Sequence, residues 1–241
     1  MTPFSMIDFS DLKSMPIDAT VESFTLKRDN FLSVTAYDDC SSVVLTMEGN
    51  IVRLMKPLKK CLKEYCEVYH INQHELSAHY KQVSCSTKAL VHGRYLIIPT
   101  HGATNPNVVY YNDFYIDSSK YLDESSRMLL SFKNDKGVVY KILVDASERT
   151  FNRIRESAHY VSKNQLDICY EYMYQLGIIQ PDQLIVNNYG SHLSMFKLID
   201  NIKIEQITDL VNTTYKRVFG SEADEEFLKE LLSLIKSSKF F

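Results

Sequence analysis

Between residues 21 and 144 the chain is a series of short apolar or alternating runs, each closed by turn-forming residues, and this constrains the fold more than any other feature. Residues 21–27, 31–37 and 43–47 are rich in Val, Phe, Thr and Tyr and are separated by Asp, Asn and Ser. Runs this short cannot hold a helical period, and their backbone groups must find partners laterally, so they read as strands. Glu48-Gly49-Asn50 is a turn, and residues 51–55 return as the second arm of a hairpin. Residues 88–91, 95–99, 108–111 and 114–117 form a second group, broken by His92-Gly93 and by a polar loop at 101–107. Residues 127–132 and 138–144 flank Asn134-Asp135-Lys136-Gly137, a strong hairpin signal. The pattern predicts about eight or nine short, mainly antiparallel strands.

Helical periodicity frames this β region. Pro57 sits where a first helical residue is expected, and Leu58, Leu62, Tyr65 and Tyr69 make an apolar stripe with Lys59, Lys60 and Lys63 mostly off it. Ser147 is a good N-cap for a helix with Phe151, Ile154, Ala158 and Val161 on one face and Arg149, Arg153, Glu156 and Tyr160 on the other. A Tyr-rich helix at 166–176 stops at Gly177, and further helices are expected near 191–200, 204–219 and 222–238. Gly220 is a C-cap and Ser221 begins the last helix. The expectation is an α+β protein: an N-terminal arm at 1–20 held loosely, a β-rich domain at 21–165 with flanking helices, and an acidic helical C-terminal extension at 166–241.

Charge narrows the function. The net charge is −3, yet residues 51–101 carry eight Lys/Arg against three Asp/Glu, whereas residues 1–50 carry three against eight. A basic block beside an acidic flank suggests an anionic partner, or a basic face neutralised by that flank within the fold. Only seven glycines occur, and no phosphate-binding loop or dinucleotide fingerprint is present, so no cofactor is expected. Five cysteines, odd in number and irregular in spacing, favour reduced thiols in a cytoplasm. No membrane span and no secretory leader are expected. Cys61, Cys66, His70 and His74 include metal-ligating residue types, but one helix through all four would fan them over too wide an arc. No nucleophile elbow surrounds any Ser or Cys, and the paired acids fall in turns, so an enzyme is not expected.

The run Lys88-Ala-Leu-Val-His-Gly-Arg-Tyr-Leu-Ile-Ile-Pro-Thr100 has a basic–apolar lead, a turn and an apolar strand ending in Pro-Thr. With Met55-Lys56-Pro57-Leu58 upstream, and residues 131–137 and 147–160 downstream, it resembles the competence transcription factor ComK family of Gram-positive bacteria. The resemblance covers residues 40–165 in patches. Family members place a tryptophan in the strand after the Pro-Thr loop; this chain has none, and Tyr110 or Tyr111 takes that place. The resemblance implies a non-enzymatic, sequence-specific activator of DNA-uptake genes that reads paired A/T-rich boxes of double-stranded DNA largely through the minor groove. It also implies a protease adaptor as a partner through a short C-terminal tail, for which this chain has residues 166–241 instead.

Under that resemblance the DNA-binding residues are Lys56, Lys88, Arg94, Lys133, Arg149 and Arg153, expected to make one continuous positive face, with Thr100 and Asn105 on the loop reaching base edges. For Asn105 a plain surface turn is an equal alternative. The rival function is a protein-interaction module with a β domain and an acidic helical tail. The apolar stripes of Ile204, Ile207, Val211 and Val218, then Phe227, Leu228, Leu231, Leu234 and Ile235, must bury against the β core or against a second copy in a homodimer.

Overall fold

The computed structural model describes residues 6–12, 14–83, 85–175, 192–221 and 223–230. The chain is α+β and forms two compact units, one drawn from the sequence up to Ile71 and from Cys85–Lys163, the other from Asn72–Ser84 and from Asn164 onward. The second unit thus takes a segment from inside the expected 21–165 domain.

The first unit holds two sheets. The larger orders its strands β2 (Ala19–Val21), β5 (Ile51–Leu54), β4 (Ser42–Thr46), β3 (Phe31–Ala36), β8 (Val109–Asn112), β7 (Tyr95–Pro99) and β6 (Leu90–His92). Every pair is antiparallel except β2 with β5. All of β4 and nearly all of β3 are buried, so both faces at the sheet's centre are covered, which explains apolar runs without clean alternation. The smaller sheet orders β1 (Met6–Asp8), β11 (Val139–Val144), β10 (Arg127–Lys133) and β9 (Ile116–Leu122), with β1 parallel to β11. The Asn134 side chain closes the β10–β11 turn by accepting from Lys136 N and Val138 N, and donates to the Met47 carbonyl at 2.9 Å. That bond ties the smaller sheet to the β4–β5 turn. There Gly49 has φ +84°, and the Tyr140 ring occupies the place a Cβ would take.

Several expectations need correcting. Residues 6–8 and 19–21 pair with β11 and β5, and Ile7 and Phe9 are buried, so this stretch is held in the sheets where a loose arm was expected. Three-residue strands are too short to show a period. Residues 22–27 leave the sheet, and only Leu26 among them is buried. Residues 114 and 115, expected to open a strand, lie in a 3₁₀ turn, Asp113–Tyr115, that leads into β9. Eleven strands are present among the described residues.

Helix α1 (Leu58–Val68) buries Cys61 and Tyr65, and Tyr65 meets Phe31 edge-on at 6.1 Å. Pro57 is its N-cap and not its first residue. His70, at φ 52°, ends the helical path, and no metal-ligating cluster occurs among the described residues. The unforeseen α2 (Gln73–Gln82) begins there, in the second unit, with the Asn72 side chain accepting from His74 N and Glu75 N. Helix α3 (Glu148–Gln175) starts with Ser147 Oγ accepting from Thr150 N and buries Phe151, Ile154, Ala158 and Val161 as foreseen. Phe151 stacks on Tyr111 at 5.4 Å. No Gly or Pro lies between Ser147 and Gln175, so the helix runs unbroken into the second unit where two helices were expected.

In the second unit α2 packs on α4 (His192–Phe219), which is likewise one helix in place of two. Gly220, at φ 78°, ends α4 with its N–H on the Lys216 carbonyl. Residues 225–230 are helical and are capped by Asp224, not Ser221, with Phe227 N donating to Asp224 Oδ1 at 2.7 Å. Tyr215 contacts both Phe219 and Phe227. The expected stop at Gly177 and the stripe from Leu231 to Ile235 lie outside the described residues, as does the burial of Ile204 and Ile207. No helix among the described residues is long and apolar enough to cross a membrane.

Candidate nucleic-acid interface

Much of the basic block is engaged inside the fold. Arg53 pairs with Asp38 at 2.8 Å and lies over the Tyr37 ring, and Lys56 pairs with Glu64 at 2.6 Å. In the second unit Lys81 pairs with Glu205 and Asp209. Lys56 therefore enters as a half-buried ion-paired cation following β5. Five strand spacings separate β5 from β6 in the sheet order, about 24 Å at the usual interstrand distance. Lys56 and Arg94 consequently do not share one local patch.

The loop after β7 is built mainly for its own closure. Thr100 is 0% exposed, and its Oγ1 accepts from Val109 N at 3.1 Å. It cannot reach a base edge, and its place in the expected site is corrected. Asn105 Oδ1 accepts from Asn107 N at 2.8 Å, and its backbone bridges Gly102 and Val108, the self-contained turn weighed as the alternative. Both facts follow from a tight return between β7 and β8, where polar side chains replace the missing ladder bonds.

Lys88, Arg94, Lys133, Arg149 and Arg153 are all exposed. Lys133 ends β10 opposite Val139, in the hairpin that Asn134 ties to the β4–β5 turn. Arg94 lies in the β6–β7 turn beside Gly93, whose carbonyl accepts from Ser162 Oγ at 2.7 Å. That bond docks the turn on the inner side of α3. Arg149 and Arg153 stand one helical turn apart on its outer side. Ser162, to which the Arg94 turn bonds, lies nine positions beyond Arg153 and on the opposite side of α3 from it, while Lys88 precedes β6 and Lys56 and Lys133 lie elsewhere.

The same end of the larger sheet carries a cluster the sequence reading did not single out. The Arg28 guanidinium lies 4.1 Å from the ring centres of both Tyr69 and Tyr95, clamped between them. Its Nη2 donates to His92 Nδ1, its backbone N–H donates to the Tyr69 hydroxyl at 3.0 Å, and its buried Nε has no partner. The bond to Nδ1 requires a lone pair there, so His92 is neutral with its proton on Nε2. Burial, then the positive charges of Arg28 and His70, hold the His92 pKa below its ordinary value, which agrees. Asn112 Nδ2 donates to the Arg28 and Phe31 carbonyls. Next to it Asp113, its side chain 5% exposed, accepts from Arg155 Nε and pairs with His159 Nε2, each at 2.9 Å. Between buried Asp113 and buried Tyr115, Phe114 remains 49% exposed, its ring centre 5.5 Å from that of Tyr95. These partners are tens of residues apart in the chain, so no local motif announces them. An aromatic flanked by Asp and Tyr after Asn112 was the one visible trace.

Chemically the arrangement offers fixed cations, aromatic faces and hydrogen-bond donors. No protein-family model, curated protein or solved structure matches the chain.

Proposed function

We propose that the first unit binds A/T-rich double-stranded DNA, largely through the minor groove, and that the protein is a non-enzymatic transcriptional activator of DNA-uptake genes acting as a cytoplasmic homodimer. The reading rests on the ComK-like series of residues between 40 and 165, most of which falls in the first unit. The observation that supports it is that Arg94, Arg149 and Arg153 are exposed cations of the first unit, supplied by two separate stretches of chain. Phosphate contacts by such side chains release counterions, and no recognition helix in the major groove is required. Thr100 has no direct part in this interface, and Lys56 is already neutralised by Glu64.

The test is an Arg149→Ala, Arg153→Ala double variant of the full chain, titrated with duplex at several salt concentrations. Two lost phosphate contacts should weaken every duplex alike and shallow the logarithmic salt slope by about two units. Unchanged affinity and slope would remove α3 from the interface.

A second reading, a protein-interaction module, is favoured by α4 alone. Leu210, Val218 and Phe219 on that helix are each more than half exposed among the described residues. Such a module would bind no duplex at any salt.

A further inference from the structure

The chain spends buried polar chemistry on holding one exposed aromatic ring. Asp113 is fixed by Arg155 and His159, Asn112 is fixed to the Arg28 and Phe31 carbonyls, and Tyr115 is buried and meets Phe114 edge-on at 5.2 Å. The 3₁₀ turn Asp113–Tyr115 therefore presents Phe114 on a rigid elbow, anchored on both sides. The ring touches a cluster of aromatic and cation contacts. Phe114 and Tyr95 are 5.5 Å apart and inclined by 32°, and the Arg28 guanidinium lies 4.1 Å from the ring centres of both Tyr95 and Tyr69. A cation held between aromatic faces cannot slide without losing both contacts, so the cluster is preorganised. A singly exposed Phe ordinarily means nothing. Phe114, by contrast, is an exposed ring in contact with a locked aromatic–guanidinium cluster.

We propose that Phe114 is a stacking platform for an unstacked nucleobase, with exposed Arg94, which adjoins Tyr95 in sequence, contacting the phosphate of that nucleotide. The proposal rests on the reading that the first unit binds nucleic acid, and deepens it by naming the groups that grip a base once it leaves the helix. A planar heterocycle can lie against an exposed aromatic ring, and every base offers a π-face, so the contact is tolerant of sequence. It also needs no donor or acceptor at the ring, and Phe114 supplies none. Stacking favours sites where a base is already unpaired, because extrusion from an intact duplex costs energy that the contact must offset. The prediction is a preference for duplex carrying an extrahelical base over the intact duplex.

The experiment measures affinity of the full chain for a fluorescently labelled A/T-rich duplex and for the same duplex with one unpaired adenine. The proteins are the wild type and the Phe114→Ala, Phe114→Leu and Phe114→Tyr variants, each first matched to wild type by thermal melting. Wild type should bind the bulged duplex more tightly. Phe114→Ala and Phe114→Leu should each lose about 5- to 150-fold on it, whereas Phe114→Tyr keeps the affinity. The Leu variant separates stacking from plain apolar burial. If wild type binds both duplexes equally and Phe114→Ala weakens neither, the platform is refuted while the duplex reading stands. If wild type binds neither duplex, both fall together. Equal losses in all three variants would refute stacking, since Tyr keeps the face.

Discussion

Asp113 is where the account can be broken most cleanly by one substitution. Its two oxygens accept from Arg155 and His159 at 2.9 Å each, while its own side chain is 5% exposed. Asp113→Ala removes both acceptors at once. The donors are not sealed in, because the Arg155 and His159 side chains are 30% and 50% exposed, so water can replace part of what is lost. Each of the two orphaned donors then costs near the low end of the usual range, about 1 kcal/mol, and lost packing adds about 1 kcal/mol more, for a total of about 3 kcal/mol. Asp113→Asn keeps the shape and one acceptor, and His159 can switch tautomer to accept from the new amide, so its cost should be about 1 kcal/mol. The assay is urea unfolding of the full chain, following far-ultraviolet circular dichroism and assigning the transition of the first unit by its loss in the variants. Asp113→Ala should shift that transition more than Asp113→Asn, and only the former should also weaken binding to a bulged duplex by freeing Phe114. A midpoint for Asp113→Ala equal to that of wild type would refute the idea that this carboxylate anchors the elbow.

In the second unit His79 is buried, its Nδ1 has no partner, and burial pulls its pKa down to about 4. Below pH 6.5 the unfolded chain takes up a proton the folded chain refuses, so stability should decline from pH 6.5 to pH 4 by up to about 3 kcal/mol. Glu75, whose carboxyl is raised by burial, opposes this across the lower part of that window, and a His79→Leu variant should show a flatter acid limb in urea titrations at pH 7 and pH 4.5. Gly49→Ala should destabilise by about 1–2 kcal/mol from its left-handed backbone alone, with a further loss as the new methyl displaces the Tyr140 ring. In a Tyr140→Ala background only the backbone part should remain, which a double-mutant cycle on melting midpoints will show. Asn105→Ala should leave duplex affinity within twofold, because its carbonyl already serves the Asn107 N–H; a loss beyond tenfold by anisotropy would return this loop to the interface.

What the sequence conveyed divides along physical lines. Strands with a strong run and a flanking turn, such as β7 from Tyr95 to Pro99, were legible to the residue, and so was the buried face of α3. Period and turn chemistry are local, and these elements obey them. Parallel three-residue strands are not local: β1 and β2 exist because β11 and β5 offer open edges, which no window around Met6 or Ala19 can reveal. The α2 start was available in Asn72 and Glu75, an N-cap and an acid three residues on, but its weak apolar face hid it. For the site, exposure of Arg149 and Arg153 followed from helical geometry. The burial of Thr100 did not follow, since a polar residue closing a strand end looks like any loop threonine until its partner Val109 is in place. The Arg28 clamp joins residues 41 or more positions apart, a distance over which spacing carries no signal.

The measurement that bears most directly on the central claim is the affinity of the full-length wild type for an A/T-box duplex and for a G/C control of equal length, at two salt concentrations. The account predicts tighter binding to the A/T duplex and a steep loss of affinity for both as salt rises, with the preference surviving at the higher salt. Equal affinity for the two sequences, or binding that does not respond to salt, would contradict it.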